Sequence, residues 1–322
     1  MFSKKDSKMK QKIKVGLALG GGGARGLAHL GVLKALEEEK IPIDAIAGTS
    51  MGSIVGGAYA QIADSHKLIL MAHDLVEKLD LKKGWTKFLS EEWDKSKERK
   101  ESLLKGLGYF VRRRLIYFVG ASRISLEPQE KLMDPLRIAL KDEPIEEAKI
   151  PFVAVAIDLV SGRERAIKKG SMIEALYASS SIEGVFPPLR IDNQLLSDGG
   201  VASLVPVDAV RELGANFVIG VSIPEVIRQE AKFVSGIEVI LRADTFTREK
   251  LNKLMLKECD VVITPEVRAI HWANFGKLDE CIHKGYEATQ NKIKEIKEKM
   301  ERRKSLWNRV RKSFARTIAG RE

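Results

Sequence analysis

The sequence predicts an α/β fold in which helices cover both faces of a largely parallel sheet. Apolar runs rich in β-branched residues, which are typical of buried strands, recur along the chain. Segments with helical apolar spacing separate these runs, and such alternation favours parallel strand pairing. The chain has 322 residues, of which 44% are hydrophobic and 31% charged. This is enough for one large domain with a substantial core.

The first part of the predicted sheet is a strand at 13–19, which ends at the glycine cluster 20–23. A helix is predicted over 24–40, because leucines recur there every third residue. A second strand follows at 43–49, and a helix over 50–63 presents small residues that allow close packing on a sheet.

The later elements follow the same alternation. Strands are predicted at 150–159, 217–223 and 260–265, and a helix at 206–213. Residues 284–320 contain no proline, and no glycine between Gly285 and Gly320, so we expect one long helix there.

The charge is concentrated at the two ends of the chain. Residues 1–14 carry +5 and residues 302–322 carry +7, out of a total of +11, which leaves −1 for residues 15–301. Basic ends on a nearly neutral body favour an acidic surface as partner. We expect a basic tail at 1–12, a main domain at 13–290 and a basic amphipathic helix at 291–322. Residues 84–125 are rich in basic and aromatic side chains, and we expect them to form an insertion in that domain.

Several features indicate the compartment. No apolar run follows the first lysines, and none approaches the length of a membrane span, so we expect a cytoplasmic protein without a signal peptide. The two cysteines, Cys259 and Cys281, are too few for a disulfide framework. The histidines do not lie at metal-ligand spacing, so we expect no metal and no cofactor.

A glycine-rich turn joins the first predicted strand to the first helix. Gly21, Gly23 and Gly26 match G-x-G-x-x-G, which is also the pattern of a dinucleotide-binding turn. The acidic residue of such a site belongs at the carboxyl end of the second strand, whereas Asp44 lies at its beginning. This argues against a dinucleotide site.

The carboxyl end of the second strand carries Ser50 between Gly48 and Gly52. G-x-S-x-G at a strand-to-helix turn is typical of a nucleophile elbow, which projects the serine hydroxyl above the sheet. An ordinary tight turn is the alternative. The neighbouring turn 21–25 favours the elbow, because its backbone can bind a developing oxyanion.

A serine nucleophile requires a base. None of the five histidines stands beside a late glycine turn, and His29, inside the first helix, is better explained as a packed or capping residue. Asp198, followed by Gly199 and Gly200, is the late acidic residue that stands out, although Asp-Gly-Gly alone is usually only a turn.

Together these motifs resemble the patatin-like phospholipase family over roughly residues 13–290. The match consists of "GGGGARG" at 20–26, "GTSMG" at 48–52 and "DGG" at 198–200, and it continues through 178–188 and 198–223. The resemblance implies a three-layer α/β/α sandwich with a mostly parallel central sheet. It also implies Ser50 as nucleophile, Asp198 as general base, and an oxyanion loop formed by Gly21, Gly22, Gly23 and Arg25.

Two residues depart from the family pattern. Glu183 lies where the family usually has proline, and Ser203 where asparagine is common. Both lie near the expected base or acyl pocket, and neither removes a catalytic group. We therefore expect a serine acyl hydrolase of phospholipids or lysophospholipids. An acyltransferase or thioesterase with the same dyad, or a non-catalytic membrane-associated regulatory protein, is the alternative.

The long C-terminal helix carries an apolar stripe along its length, and beyond Glu301 its other positions are almost wholly basic. Its members are Tyr286, Ile293, Ile296, Met300, Trp307, Val310 and Phe314. We expect the first half to dock on the body and the end to meet an anionic membrane at the inner face, through Trp307, Arg309, Arg311, Lys312 and Phe314. Pairing with a second copy through this helix is the alternative. No base-reading module accompanies the basic end of this helix, so no nucleic acid is expected. For residues 84–125 we expect a lid or second membrane contact, or a structural cap.

Overall fold

The computed structural model describes residues 13–80, 123–224, 233 and 236–319, and the side chains of 237, 238 and 306–319 are not described. The predicted basic tail at 1–12 and nearly all of the insertion at 84–125 lie outside the described residues. The strands are β1 (Val15–Leu19), β2 (Ala45–Thr49), β3 (Phe152–Asp158), β4 (Arg163–Ile167), β5 (Leu189–Ile191), β6 (Gln194–Asp198), β7 (Phe217–Val221) and β8 (Val261–Ile263). The helices are α1 (Ala28–Glu38), α2 (Met51–Ile62), α3 (Ser65–Lys78), α4 (Glu130–Ala139), α5 (Met172–Ser180), α6 (Val207–Glu212), α7 (Gly236–Met255) and α8 (Leu278–Ala319).

One mixed sheet of eight strands forms the centre of the molecule. Its order is β5-β6-β3-β2-β1-β7-β8, with β4 paired to β3 off this path. The five strands predicted from apolar runs, β1, β2, β3, β7 and β8, pair in parallel, so the α/β prediction is confirmed. They are buried throughout or nearly so, as expected for a sheet covered on both faces.

The remaining strands add an antiparallel part that apolar runs do not predict. β4 and β6 both pair antiparallel with β3, and β5 pairs with β6. β4 runs along Ala154–Asp158 of β3. The other side of β3 is therefore shared by β2 and β6, which meet end to end.

The first predicted helix differs in detail at its start. Residues Gly23–Leu27 form a 3₁₀ helix, and the α-helix begins only at Ala28. The N–H of Ala24 donates to the carbonyl of Trp272 at 2.6 Å, so a distant loop holds this segment.

Helix α8 packs against α1 with the two backbones in contact. A Cβ atom on Gly285 would lie 1.9 Å from the carbonyl oxygen of Ala28, and one on Gly31 would lie 1.9 Å from that of Ile282. Glycine at these positions therefore permits the close approach. The buried face of α8 comprises Leu278, Cys281, Thr289, Ile293, Ile296 and Met300.

Helix α8 runs from the carboxyl edge of the parallel strands to their amino edge. Near its start, the Cys281 thiol contacts the carbonyl of Ala24. Further on, Arg303 pairs with Asp260 at 2.5 Å and also donates to the carbonyl of Asn216. Asp260 and Asn216 immediately precede β8 and β7. Among the described residues, no helix combines the length and apolar character needed to cross a membrane.

Candidate active site

Ser50 occupies a strained turn between β2 and α2. Its φ of 53° and ψ of −127° lie in a region that favours glycine, and such a conformation costs on the order of 1–3 kcal/mol. The Ser50 N–H donates to the Ser179 carbonyl at 2.9 Å, with the Ser179 hydroxyl at 3.1 Å. The Ser50 carbonyl accepts from the N–H of Ser53 at 2.8 Å. Both sides of the turn are thus held in place.

The elbow glycines are required by close packing. A Cβ atom on Gly48 would lie 2.4 Å from the carbonyl oxygen of Gly52, and one on Gly52 would lie 2.2 Å from that of Leu19. Real Cβ atoms do not approach backbone atoms so closely. The strand, the turn and the first turn of α2 are therefore compact enough only with glycine at these positions.

The glycine loop lies directly beside Ser50. A Cβ atom on Gly21 would lie 3.2 Å from the Cβ atom of Ser50. The Gly21 N–H donates to the carbonyl of Leu204 at 3.1 Å, so Gly21 provides close approach and not a hydrogen-bond donor. This corrects the prediction that its N–H helps to bind an oxyanion. Gly22 and Gly23 remain candidates, together with the first N–H groups of α2, which lack intrahelical partners.

Arg25 stabilises this loop from within the protein. The buried guanidinium donates to the carbonyl of Gly22 at 3.3 Å and to that of Pro224 at 3.0 Å. Its side chain therefore joins the glycine loop to the chain that follows β7. Arg25 thus has a positioning role, in which it fixes a peptide plane of the loop.

His29 holds the start of the same loop. Its Nε2 donates to the carbonyl of Gly20 at 2.7 Å, and the imidazole is fully buried. Burial lowers the pKa of His29 to about 4, although the hydrogen bond to Gly20 opposes this shift. The ring is therefore neutral near pH 7, in agreement with the expectation of a packed residue.

Asp198 reaches Ser50 because β2 and β6 meet on the same side of β3. Thr49, the last residue of β2, pairs with Val155, and Asp198, the last residue of β6, pairs with Ala156. The two strands run toward each other, so their ends bring the serine and the carboxylate together. The Ser50 hydroxyl lies close enough to the Asp198 carboxylate to lower its pKa.

The Asp198 carboxylate is almost fully buried. Burial raises its pKa to about 6, and both the neighbouring Ser50 hydroxyl and the hydrogen bond from the Gly200 N–H, at 2.8 Å, oppose this shift. A Cβ atom on Gly199 would lie 2.3 Å from the Val155 carbonyl oxygen. Gly199 thus allows the turn to pack against β3, and the Gly200 amide satisfies the carboxylate.

Glu183 is a second carboxylate near Asp198. Although it keeps exposed surface, the crowded protein around it and then the charge of Asp198 raise the pKa of its carboxyl to about 7. Arg248 of α7 acts in the opposite direction on both carboxylates. Glu183 therefore belongs to the surroundings of Asp198, as its position in the sequence suggested.

Ser203, the second departure from the family pattern, is structural. Its carbonyl accepts a hydrogen bond from the Thr49 hydroxyl at 2.8 Å, and its own hydroxyl faces the sulfur of Met255 at 3.9 Å. It links the end of β2 to helix α7.

Sequence reasoning did not identify Ser179 or Arg248 as neighbours of the site, because both belong to elements distant along the chain.

An apolar cavity of about 130 Å³ begins next to the elbow. Met51, the residue after Ser50, borders the cavity, which continues along Ile54 and Ala58 of α2. Helices α3 and α4 close it on the far side. A chain of methylene groups attached at Ser50 would find an apolar environment here.

The predicted membrane-contacting side chains Trp307, Arg309, Arg311, Lys312 and Phe314 lie on α8 where only the helical backbone is described.

The comparisons with known proteins agree on one family. The model of the patatin-like phospholipase family matches residues 17–211. An uncharacterized NTE family protein of Mycobacterium tuberculosis is 33% identical over 210 residues, covering 65% of this chain and 49% of the relative.

Two eukaryotic relatives match the same part of the chain. Patatin-like phospholipase domain-containing protein 6 of Homo sapiens is 32% identical over 211 residues, which cover 65% of this chain and 13% of that protein. Lysophospholipase NTE1 of Cryptococcus neoformans is 32% identical over 212 residues, which cover 66% of this chain and 11% of that protein. The chain spans about half the length, or less, of the curated relatives it matches.

Proposed function

This chain belongs to the patatin-like phospholipase family, and we propose that it is a serine hydrolase that cleaves acyl esters of phospholipids or lysophospholipids. The observation that carries the proposal is the contact between the strained Ser50 and the buried carboxylate of Asp198. Ser50 is the nucleophile and Asp198 the general base. The lysophospholipase among the relatives supports this substrate class.

In the first step the Ser50 Oγ attacks the acyl carbonyl carbon, and the hydroxyl proton passes to the Asp198 carboxylate. The N–H groups of Gly22, Gly23 and Met51 stabilise the negative charge that develops on the carbonyl oxygen. The ester C–O bond then breaks, and the proton on Asp198 passes to the leaving alcohol. The acyl group remains on Ser50.

In the second step a water molecule attacks the acyl-serine carbonyl carbon and gives a proton to Asp198. Breakdown of the second tetrahedral intermediate releases the fatty acid and returns the proton to Ser50. The neutral, buried His29 takes no part in proton transfer; it holds the loop from which the donors project.

The apolar cavity favours a lipid as substrate over a short-chain ester. It begins at Met51, immediately after the nucleophile, and its lining is almost wholly hydrocarbon. Burying each methylene group of an acyl chain there contributes about 0.8 kcal/mol. We also propose that the protein acts while peripherally bound to an anionic membrane. Contact of the basic C-terminal end of α8 with that membrane, and pairing of two copies through α8, remain proposals from the sequence.

A fluorophosphonate probe tests the proposed nucleophile and base directly. We expect labelling of the wild type, none of Ser50→Ala, and at least about a thousandfold slower labelling of Asp198→Asn. Ser65→Ala, which removes a buried serine away from the site, serves as the matched control and should label like the wild type. Undiminished labelling of Ser50→Ala would contradict the assignment of the nucleophile. Rapid labelling of Asp198→Asn would indicate a different base.

A further inference from the structure

Helix α7 extends beyond the carboxyl edge of the sheet, on the side of the candidate site. Near its end, Asn252 donates to the hydroxyl of Ser222 at 3.2 Å, just after β7, and Met255 contacts Ser203. The part of α7 that precedes Asn252, residues 236–251, covers about 24 Å of helix axis. This part therefore projects from the body near Ser50 and Asp198.

The projecting part of α7 exposes large apolar side chains. Ile240 is 68% exposed and Leu241 54%, and Val239 and Phe246 are exposed to a similar degree. A helix at a protein surface normally turns such residues inward. Here they point to solvent, so this half of α7 is suited to an apolar environment outside the protein.

The β3–β4 hairpin forms a second exposed apolar point at the same edge. Its tip carries Leu159 and Val160, which are 49% and 66% exposed. The tip lies only a few residues beyond Ala156, the partner of Asp198 in the sheet. We call Leu159, Val160, Val239, Ile240, Leu241 and Phe246 the apolar rim.

Basic side chains accompany the apolar rim. Arg242 lies over the Phe246 ring at 4.9 Å, Lys250 is exposed on the same helix, and Arg163 and Arg165 are exposed on β4. Of the acidic residues of α7 whose side chains are described, Asp244 pairs with Arg248 at 2.8 Å and Glu249 with Lys253 at 3.1 Å; Glu164, between the two arginines of β4, is exposed. Exposed apolar groups flanked by cations match a lipid surface with anionic headgroups.

The basic end of α8 lies on the other side of the molecule. Arg303 is fixed at the amino edge of the sheet by Asp260 and Asn216, and the helix continues for 16 further residues, or about 24 Å, to Ala319. A flat membrane that touches the apolar rim would therefore not touch this end of the helix.

We infer that the apolar rim is the surface through which this protein docks on an anionic lipid membrane, with the opening of the Ser50 site facing the lipid. The inference rests on the proposed function in one respect: docking would bring a lipid substrate from the membrane to Ser50. Docking itself requires no turnover. It can therefore be measured whether or not the hydrolase proposal holds.

Flotation with vesicles of equal parts phosphatidylcholine and phosphatidylglycerol tests the inference on the full chain. The variants are the double substitution Ile240→Asp with Phe246→Asp, and the single substitution Val160→Asp. The matched controls are Leu70→Asp and Ile138→Asp, since these side chains are each 55% exposed but lie on α3 and α4. A circular dichroism melt verifies that each variant is folded.

We expect the α7 double variant to need at least about tenfold more lipid for half-maximal binding, because it loses the burial of two large apolar side chains. Val160→Asp should shift in the same direction, the controls should bind like the wild type, and vesicles of phosphatidylcholine alone should bind less well. Equal loss in Leu70→Asp would overturn the inference, because binding would then not be specific to the apolar rim. Loss only on deletion of residues 302–322 would transfer the membrane contact to the basic C-terminal end of α8.

Two further outcomes are distinguishable. Wild-type binding to vesicles without fluorophosphonate labelling would support the apolar rim and contradict the proposed hydrolase. If the wild type does not bind vesicles and the α7 double variant changes its sedimentation coefficient, the apolar rim is instead an interface between copies of this chain, and the inference is wrong.

Discussion

The Ser50 hydroxyl lies beside the carboxylate of Asp198 and lowers its pKa, and the protein buries that carboxylate almost completely. A base in this position accepts a proton only when it is ionised, and ionisation inside the protein is costly. The same contact therefore has consequences for both rate and stability.

The pH dependence of hydrolysis follows from the raised pKa of Asp198. With a pKa of about 6, the active ionised form is lost as the pH falls through 6. We expect kcat/KM for a soluble p-nitrophenyl ester to rise about tenfold per pH unit below 6 and to level off above it. Stopped assays across this range provide the measurement, and a flat profile would exclude Asp198 as the base.

Asp198→Asn should stabilise the fold at neutral pH while it abolishes hydrolysis. The carboxyl has a pKa of about 6 in the folded protein and an ordinary value of 3.8, so folding favours the protonated form. The folded state then binds more protons between these values, and the free energy of unfolding falls as the pH rises through them. Asparagine removes this cost, which is about 3 kcal/mol above pH 6.

Urea denaturation of Asp198→Asn and the wild type at about pH 8 and pH 4 tests this expectation. The advantage of the variant should be largest at the higher pH and nearly absent at the lower. A variant less stable than the wild type at pH 8 would mean that the interactions of the carboxylate with Ser50 and with the Gly200 N–H outweigh the desolvation of Asp198.

His29 should produce the opposite pH dependence. Its pKa falls from 6.5 to about 4 on folding, so the unfolded state binds more protons in this interval. The resulting stability is present above pH 6.5 and is lost as the pH falls toward 4, with a total of about 3 kcal/mol. In His29→Gln, which keeps an N–H donor for the Gly20 carbonyl, the difference in unfolding free energy between these two pH values should shrink. An unchanged difference would contradict the assignment to His29.

The apolar cavity should set the preferred acyl length. Ala72→Phe places a ring among the side chains that line it. We expect the ratio of dodecanoate to butyrate ester hydrolysis to fall at least about tenfold, because the long chain loses its buried methylene contacts. Leu70→Phe, on the exposed side of the same helix, is the control. If the ratio is the same in both variants, the acyl chain binds elsewhere.

Gly285→Ala should destabilise the contact between α8 and α1. Alanine normally favours a helix by up to about 1 kcal/mol over glycine, but here its Cβ would meet the Ala28 carbonyl oxygen at 1.9 Å. We expect the free energy of unfolding to fall by about 1–3 kcal/mol in a urea titration. Gly236→Ala, where a Cβ would meet nothing within 4 Å, should show no such loss. Equal stability of the two variants would mean that α8 moves aside at little cost.

The parallel part of the sheet could be predicted from the sequence because its strands are buried on both faces and appear as continuous apolar runs. β4 could not, since four of its five residues, "RERAI", are at least partly exposed and three carry charge. Helix α7 could not be predicted either, although the exposed side chains of its first half are apolar and those of β4 are charged. Large apolar side chains in its first half, Val239, Ile240, Leu241 and Phe246, are exposed, so they do not follow the spacing of a helix docked on a core.

The positions of the glycines and Ser50 were predictable because a sharp turn permits few residue types. The contact between Ser50 and Asp198 depends on two strands meeting end to end on β3, and no local pattern encodes this pairing. It entered the sequence analysis only through the family resemblance. The use of the Gly21 N–H by Leu204 likewise depends on a residue far along the chain.

Helix α8 also gives the molecule two distinct ends. The helix starts on the side of the Ser50 site and ends about 60 Å further along its axis. An affinity tag attached after this helix would fix the protein to a support with the site turned away from it. Fluorophores placed at the two ends of α8 would report, by the change in energy transfer to a labelled bilayer, which end of the molecule approaches the lipid.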